Sequence, residues 1–293
     1  LRTFAALGVY GASAITAVTA QNTHGVTDVH YLPSDMVAAQ IDTVLADFDV
    51  AAIKIGMLGS AGIVAAVAGR LGGLPSPQPS PASGRGDAPS ASSAAAQPSH
   101  ERGKPLLPLA GEGGRVSGRM RGRPFVVYDP VMAASSGDAL SEEGFLDAVR
   151  TKLLPLVDCL TPNLAEAAAL LGAAEARDEE TMAAQGRALL PLGPRAVLMK
   201  GGHLEASEAV DWLVTREGTR RYAGAWIAST NTHGTGCTLS AAIAAHVARG
   251  AGLEDAVAEA KAFVARAIEA GRDVKLGGGR GPLMQSPLRI RGA

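Results

Sequence analysis

The pattern of apolar and polar positions along the chain predicts short buried strands that are separated by amphipathic helices. Nearly uninterrupted apolar runs at residues 51–58, 125–128, 159–161 and 196–200 are typical of strands covered on both faces. Between these runs apolar residues recur at helical spacing, and helices are predicted to begin at Ser34, Ser60, Ser141, Leu164, Thr181, Thr235 and Leu253. Strands that alternate with helices predict βαβ units and a mainly parallel sheet.

Two other stretches are predicted as β-structure. Residues 210–227 have the pattern of a β-hairpin that turns at Glu217 and Gly218. Residues 8–20 are apolar but too few to span a bilayer, for which about 20 residues are needed. They are predicted to form a buried strand with its flanking turn.

Residues 73–123 interrupt the pattern. They are rich in Pro, Ser, Gly and Arg and have almost no β-branched or aromatic residues, so they bury too little apolar surface to offset the entropy of ordering. We predict a disordered, low-complexity insertion there. It divides a single domain made of residues 1–72 and 124–271, which is followed by a tail at residues 272–293.

Composition limits the range of functions. The chain has 293 residues and is 47% hydrophobic, which is enough for one large α/β domain. A net charge of −1 and an aromatic content of 4% argue against nucleic-acid and membrane partners. Cys159 and Cys237 form no CxxC pair, and we expect reduced thiols in a cytoplasmic protein.

The segment NTHGTGCTLS, at residues 231–240, joins the predicted hairpin to a long helix. Gly234 and Gly236, on either side of Thr235, permit a tight turn that leaves the first amides of the helix facing a ligand. Free amides and the helix dipole favour an anion, such as a phosphoryl group in transfer. Cys237 lies in the first helical turn, where a thiolate would be stabilised. The alternative interpretation is an ordinary glycine turn that precedes a helix. A single Gly-x-Gly, taken alone, favours this alternative.

Polar residues follow other predicted strands. Asn163 follows the strand at residues 159–161, and Glu166 stands three residues later. The pair is typical of a helix capping box, but its oxygens also suit a hydrated Mg²⁺ that bridges ATP phosphates. Lys200 ends a strand, where its ammonium group either contacts phosphate oxygens or extends to the surface.

Three residues suit the binding of a flat aromatic ring. Gln21 offers an amide donor and acceptor for the edge of an aminopyrimidine, and Met57 and Val131 offer apolar walls. Packing in the core is the alternative role for the methionine.

The order of the motifs AQNT, KIGML, DPVM, TPNLAEA, LMKGGH, DWL and NTHGTGCTLSAAIA resembles that of the bacterial hydroxymethylpyrimidine/phosphomethylpyrimidine kinases of the ribokinase-like superfamily. The resemblance covers residues 1–72 and 125–271. It implies a three-layer α/β/α sandwich around a mainly parallel sheet. It also implies transfer of the ATP γ-phosphoryl group to hydroxymethylpyrimidine, and then to its monophosphate, in thiamin biosynthesis.

The resemblance implies roles for individual residues and a homodimeric assembly. The residues that match pyrimidine contacts are Gln21, Met57 and Val131. Those that match the Mg²⁺ and phosphate sites are Asn163, Glu166 and Lys200. Those that match the anion hole are Gly234, Thr235 and Gly236. Cys237 occupies the place of the catalytic aspartate in sugar-kinase relatives.

Two features depart from the family pattern. The glycine-rich first strand and a substrate-binding aspartate have no counterpart before Leu1, and the tail at residues 272–293 matches only loosely. A weak or inactive kinase is therefore expected, with a truncated non-catalytic remnant as one alternative. A pyridoxal kinase of the same superfamily is the nearest enzymatic alternative.

Removal of residues 75–122 tests the predicted insertion. We expect the melting temperature of the shortened chain to equal or exceed that of the parent, because the segment lacks apolar periodicity and a shorter loop costs slightly less entropy to close. Calorimetric unfolding of both chains makes the comparison. Loss of cooperative unfolding on excision would contradict the prediction.

Overall fold

The computed structural model of the chain describes residues 1–74, 123–132, 142–202 and 208–286. Most of the predicted insertion, and the last part of the predicted tail, therefore lie outside the described residues. Six of the described strands form one sheet, and two others form a separate hairpin. Within the described ranges, no helix combines the length and the apolar character that crossing a membrane requires.

The chain begins with a short helix and an exposed hairpin. Helix α1 (Arg2–Ala6) precedes strands β1 (Ala17–Gln21) and β2 (Val26–Tyr31), which pair antiparallel with each other. Val18 is 58% exposed, and β1 has no second neighbouring strand among the described residues. The prediction of a buried strand at residues 8–20 is therefore wrong, because the strand starts late and no layer covers it.

The main sheet has the mainly parallel arrangement that the sequence predicts. Its strand order follows the chain, and the last two strands form the predicted hairpin. The parallel strands are β3 (Ala52–Ile55), β4 (Phe125–Tyr128), β5 (Cys159–Leu160) and β6 (Ala196–Lys200), and the antiparallel strands are β7 (Glu208–Thr215) and β8 (Thr219–Ala225). The carboxyl ends of β3 to β6 therefore meet at one edge of the sheet.

Helices cover both faces of this sheet. The first face packs against α2 (Ser34–Asp47), α3 (Ala61–Gly72), α4 (Phe145–Ala148) with its π-helical continuation (Val149–Leu153), α5 (Leu164–Leu171) and α6 (Glu179–Leu189). The second face packs against α1, α7 (Thr235–Ala248) and α8 (Leu253–Gly271). Along β4, Val126 and Tyr128 point to the first layer and Val127 to the second, as strand alternation requires. The three-layer α/β/α sandwich is confirmed.

Local residues explain where two of the helices begin. The Ser60 hydroxyl accepts a hydrogen bond from the Ile63 amide at 3.2 Å, which caps α3. The helix predicted to begin at Ser141 instead begins at Phe145, and Ser141 itself lies outside the described residues. Gly144 has a φ of 75°, a left-handed conformation that a right-handed helix excludes, so the helix starts after it.

The segment after α8 packs against the domain. The Asn231 side chain donates hydrogen bonds to the carbonyl oxygens of Gly271 and Val274, each at 2.6 Å. Leu283 and Met284 are buried, and the Met284 amide donates to the Ala267 carbonyl. The predicted tail therefore belongs to the packed structure as far as residue 286 is described.

Asn231→Ala should lower the free energy of unfolding by about 1–3 kcal/mol, because it removes two hydrogen bonds and deprives the Val274 carbonyl of its donor, while the Gly271 carbonyl keeps its hydrogen bond from the Val274 amide. Asn22→Ala is a matched control, since Asn22 is exposed and its side-chain oxygen accepts only from the His24 amide. Urea unfolding measures both variants. Equal losses in the two variants would show that Asn231 does not anchor the segment.

Candidate active site

The carboxyl edge of the parallel strands brings charged residues together. Lys54 lies near the end of β3, Asp129 follows β4, Asn163 follows β5, and Lys200 ends β6. The start of α7 reaches the same place: a β-carbon added to Gly236 would lie 3.2 Å from Lys200 Nζ and 3.7 Å from Asp129 Oδ2. Residues that are distant in the chain therefore form one cluster.

Lys200 lies between two carboxylates. Its Nζ is 2.7 Å from Asp129 Oδ1 and 3.6 Å from Glu166 Oε2. Burial opposes ionisation of Asp129, but the charges of Lys200 and Lys54 outweigh it and lower the pKa of that carboxyl group. Burial likewise opposes the charge of Lys200, and its two carboxylate neighbours raise the pKa of the ammonium group above its ordinary value. Asp129 and Lys200 are therefore ionised and paired with each other at neutral pH.

Asp129 is the centre of the hydrogen bonds in this cluster, although it is not among the predicted site residues. Besides Lys200, the hydroxyl groups of Ser240 and Thr161 donate to its carboxylate at 3.3 Å and 3.5 Å. Its only signal in the sequence is its place after a buried strand. That signal is weak, because an Asp-Pro pair after a strand is also an ordinary turn.

Asn163 and Glu166 form the predicted capping box. The Glu166 amide donates to Asn163 Oδ1 at 2.8 Å, and the Asn163 amide donates to Glu166 Oε2 at 2.7 Å. Burial raises the pKa of Glu166, and the neighbouring Lys200 charge opposes that shift. One side chain thus caps a helix and faces the charged cluster.

The donor atoms fit a hydrated Mg²⁺ better than a directly bound metal. Asp129 and Glu166 present the hard carboxylate oxygens that Mg²⁺ prefers. The described part of the chain has no group of three His, Cys, Asp or Glu side chains that would hold a metal ion. An ion that keeps several water ligands, and takes others from substrate phosphates, suits this arrangement.

The start of α7 presents free amides to the cluster. Gly234 precedes the helix with a φ of 85°, which favours glycine. The Thr235 amide and hydroxyl both donate to the Thr232 carbonyl. The amides of Gly236 and Cys237 donate to no described residue. The Gly234 amide likewise donates to no described residue, so the amides open to an anion are those of Gly234, Gly236 and Cys237.

Cys237 does not have the surroundings of a thiolate. Its side chain is accessible to solvent, and the surrounding protein partly desolvates the sulfur atom. This desolvation and the charge of Asp129 raise the pKa of the thiol, and the charges of Lys54 and Lys200 oppose the shift without cancelling it. The prediction of a thiolate at Cys237 is therefore wrong, because a raised pKa favours the thiol in the free protein.

The three residues predicted to contact a ring lie on different elements. Met57 and Val131 are half-buried in the loops after β3 and β4, next to the charged cluster along the chain. Gln21 is exposed at the end of β1. The hairpin is tied to the β3 loop, since the Thr16 hydroxyl donates to the Met57 carbonyl at 2.7 Å. No hydrogen bond between described residues joins Gln21 to the cluster.

Lys200→Met should destabilise the fold by about 3–5 kcal/mol at pH 8, because it leaves buried carboxylates without their cation. The loss should be smaller at pH 5. Without Lys200, burial raises the folded-state pKa of both carboxyl groups further, so the variant gains stability as the pH falls towards 5, whereas the contribution of Asp129 in the parent stays constant because its lowered pKa lies below this range. Urea unfolding at both pH values measures the difference, with the exposed Lys152→Met as control. A loss that does not change with pH would contradict the pairing.

Comparisons with known proteins agree with this fold. A family profile described as phosphomethylpyrimidine kinase matches residues 1–79 and 116–284. The hydroxymethylpyrimidine/phosphomethylpyrimidine kinases of Salmonella typhimurium and Escherichia coli are 44% and 42% identical to this chain, over 97% of it and 89% of each relative.

Solved structures show the same architecture. The crystal structure of phosphomethylpyrimidine kinase from Clostridium difficile matches with a TM-score of 0.65 and 31% identity, over 91% of this chain and 90% of that one. The pyridoxal kinase from Staphylococcus aureus in complex with AMP-PCP and pyridoxal matches with a TM-score of 0.72 and 26% identity, over 96% and 84%. With the profile and the sequence relatives in agreement, the chain belongs to the phosphomethylpyrimidine kinase family of ribokinase-like phosphotransferases.

Proposed function

We propose that the chain transfers the γ-phosphoryl group of ATP to the hydroxymethyl group of hydroxymethylpyrimidine, and then phosphorylates the resulting monophosphate, in thiamin biosynthesis. The observation that carries this proposal is the joined cluster of Lys200, Asp129 and Glu166 beside the free amides of α7. Phosphoryl transfer needs positioning and charge stabilisation more than covalent chemistry, and this cluster supplies both.

Each part of the cluster has a role in this proposal. The amides of Gly236 and Cys237 stabilise the phosphoryl group in transfer, helped by the dipole of α7. When bound, Mg²⁺ supplies charge neutralisation on the ATP phosphates, and Asn163 and Glu166 hold it through water. Glu166 is free to do so, because its Oε1 accepts no hydrogen bond from the described residues, whereas its Oε2 serves the capping box.

Cys237 is our candidate for the proton acceptor of the first step. A thiol cannot accept a proton, so the small fraction of the protein that holds Cys237 as a thiolate takes the hydroxyl proton as the new O–P bond forms and the bond to ADP breaks. In the second step the attacking atom is a phosphate oxygen that is already ionised. Cys237 is therefore proposed to matter for the first step alone.

Gln21, Met57 and Val131 are proposed to hold the pyrimidine ring, with Gln21 brought towards it by the hairpin. Pyridoxal remains the competing substrate. The three proteins reported above as pyrimidine kinases are 44%, 42% and 31% identical to this chain, against 26% for the pyridoxal kinase. A homodimer and a cytoplasmic location complete the proposal and rest on the family resemblance.

An assay of ADP release tests the function directly. The purified chain with ATP and Mg²⁺ should release ADP with hydroxymethylpyrimidine, and much more slowly with pyridoxal. Calorimetric titration of the pyrimidine in parallel separates binding from turnover. Binding without turnover would identify a non-catalytic remnant, and faster turnover of pyridoxal would replace the proposed substrate.

Cys237→Ala should slow phosphorylation of hydroxymethylpyrimidine by about 10²–10⁴-fold, the usual effect of losing a positioned general base. Because the pKa of this thiol is raised, the first step in the parent should accelerate as the pH rises towards 9, and the variant should lose that dependence. The second step should change by less than about threefold, since it needs no base. The test is to measure the rate with each substrate across pH for the parent and the variant. Equal rates of the first step in the two proteins would exclude Cys237 as its proton acceptor.

A further inference from the structure

Lys54 is a second cation at the carboxyl edge of the sheet, and it differs from Lys200 in making no direct ion pair with a described residue. Lys200 is compensated by Asp129 and Glu166. Lys54 makes neither an ion pair nor a side-chain hydrogen bond with any residue that the structure describes. Its charge acts on Asp129, but that carboxylate makes its direct ion pair with Lys200. An ammonium group that makes no direct ion pair beside a phosphoryl-transfer site is available to an anionic ligand.

The sheet directs Lys54 towards the start of α7. It pairs in register with Val127, so its side chain leaves the sheet on the face that α7 covers. Gly56 makes room for the ammonium group, because a β-carbon at that position would lie 2.6 Å from Lys54 Nζ. The φ of Gly56 lies outside the left-handed region, so the backbone itself does not require glycine there. The absence of a side chain at Gly56 therefore leaves the space that the Lys54 ammonium group occupies.

The electrostatic surroundings agree with that direction. Lys54 is the charge that most lowers the pKa of the Cys237 thiol, and it is second to Lys200 in lowering the pKa of Asp129. The charge of Lys54 thus favours ionisation of Cys237, which is the residue proposed to accept the proton of the substrate hydroxyl.

We propose that Lys54 binds the phosphate of the phosphorylated pyrimidine, and so serves the second phosphoryl transfer. This assignment rests on the proposed function. The first substrate is a neutral alcohol and brings no charge for Lys54 to pair with. Its monophosphate brings a charge of about −2 at the position of the attacking oxygen. Lys200 is already paired, whereas Lys54 is free to compensate the new charge.

Lys54→Met should raise the KM for the monophosphate by about 10- to 100-fold, the range expected when a hydrogen bond to a charged group is lost. It should change the KM for hydroxymethylpyrimidine by less than about threefold, because no ion pair to that alcohol is removed. The kcat of that first step should fall at neutral pH, because Cys237 loses the charge that most lowers the pKa of its thiol. Lys54→Arg keeps the charge and should recover most of the monophosphate affinity. Gly56→Ala keeps the lysine but displaces its ammonium group, and it should reproduce part of the effect of Lys54→Met.

Lys152→Met, which removes an exposed lysine elsewhere, is the matched control and should leave both substrates unaffected. Calorimetric titration of the monophosphate without nucleotide gives a readout that does not need turnover. If the parent phosphorylates hydroxymethylpyrimidine, and Lys54→Met binds the monophosphate as tightly as the parent, the assignment to Lys54 is overturned and the proposed function stands. If the parent turns over neither substrate, the proposed function fails. In that case the assignment to Lys54 also fails if the parent binds the monophosphate no more tightly than Lys54→Met does.

Discussion

The pairing of Lys200 with Asp129 and Glu166 is the interaction on which the site depends. Asp129 and Glu166 are almost completely buried, and an unpaired buried charge costs several kcal/mol. The pairing exists only because β4, β5 and β6 run parallel and end at the same edge. The Lys200 amide also donates to the Pro162 carbonyl at 2.9 Å, which joins the end of β6 to the turn that carries Asn163.

Two glycines make this concentration of charge possible. Gly236 brings the backbone of α7 against Lys200 and Asp129, and Gly56 leaves the space that Lys54 Nζ occupies. A side chain at either position would move an ammonium group. The site thus combines two cations, two carboxylates and free amides at the start of α7, the kinds of group that stabilise phosphate oxygens.

Much of the fold was predictable because its signals are local. Residues 164–171 follow a capping box and residues 196–200 are an uninterrupted apolar run, and both elements have the predicted bounds. The hairpin at β1 and β2 was misjudged because the apolar character of a strand does not reveal whether a second layer covers it. The helix after Gly144 was placed too early because a left-handed glycine has no signature in the apolar pattern.

The site was less predictable, because its interactions are not local. Lys200 and Asp129 are 71 residues apart in the chain, and only the register of the sheet brings them together. Lys54 lies within an apolar strand and shows its importance only through Gly56 and Cys237. The pKa of the Cys237 thiol depends on desolvation and on Asp129, which the position of a cysteine at a helix start does not predict.

The central claim is that this cluster transfers phosphoryl groups to the pyrimidine and to its monophosphate. Phosphorus NMR of the chain with ATP, Mg²⁺ and hydroxymethylpyrimidine follows the products directly. The account predicts that the pyrimidine monophosphate appears first and the diphosphate follows, each with a matching amount of ADP. Release of inorganic phosphate without a phosphorylated pyrimidine, or a reaction that stops at the monophosphate, would contradict it.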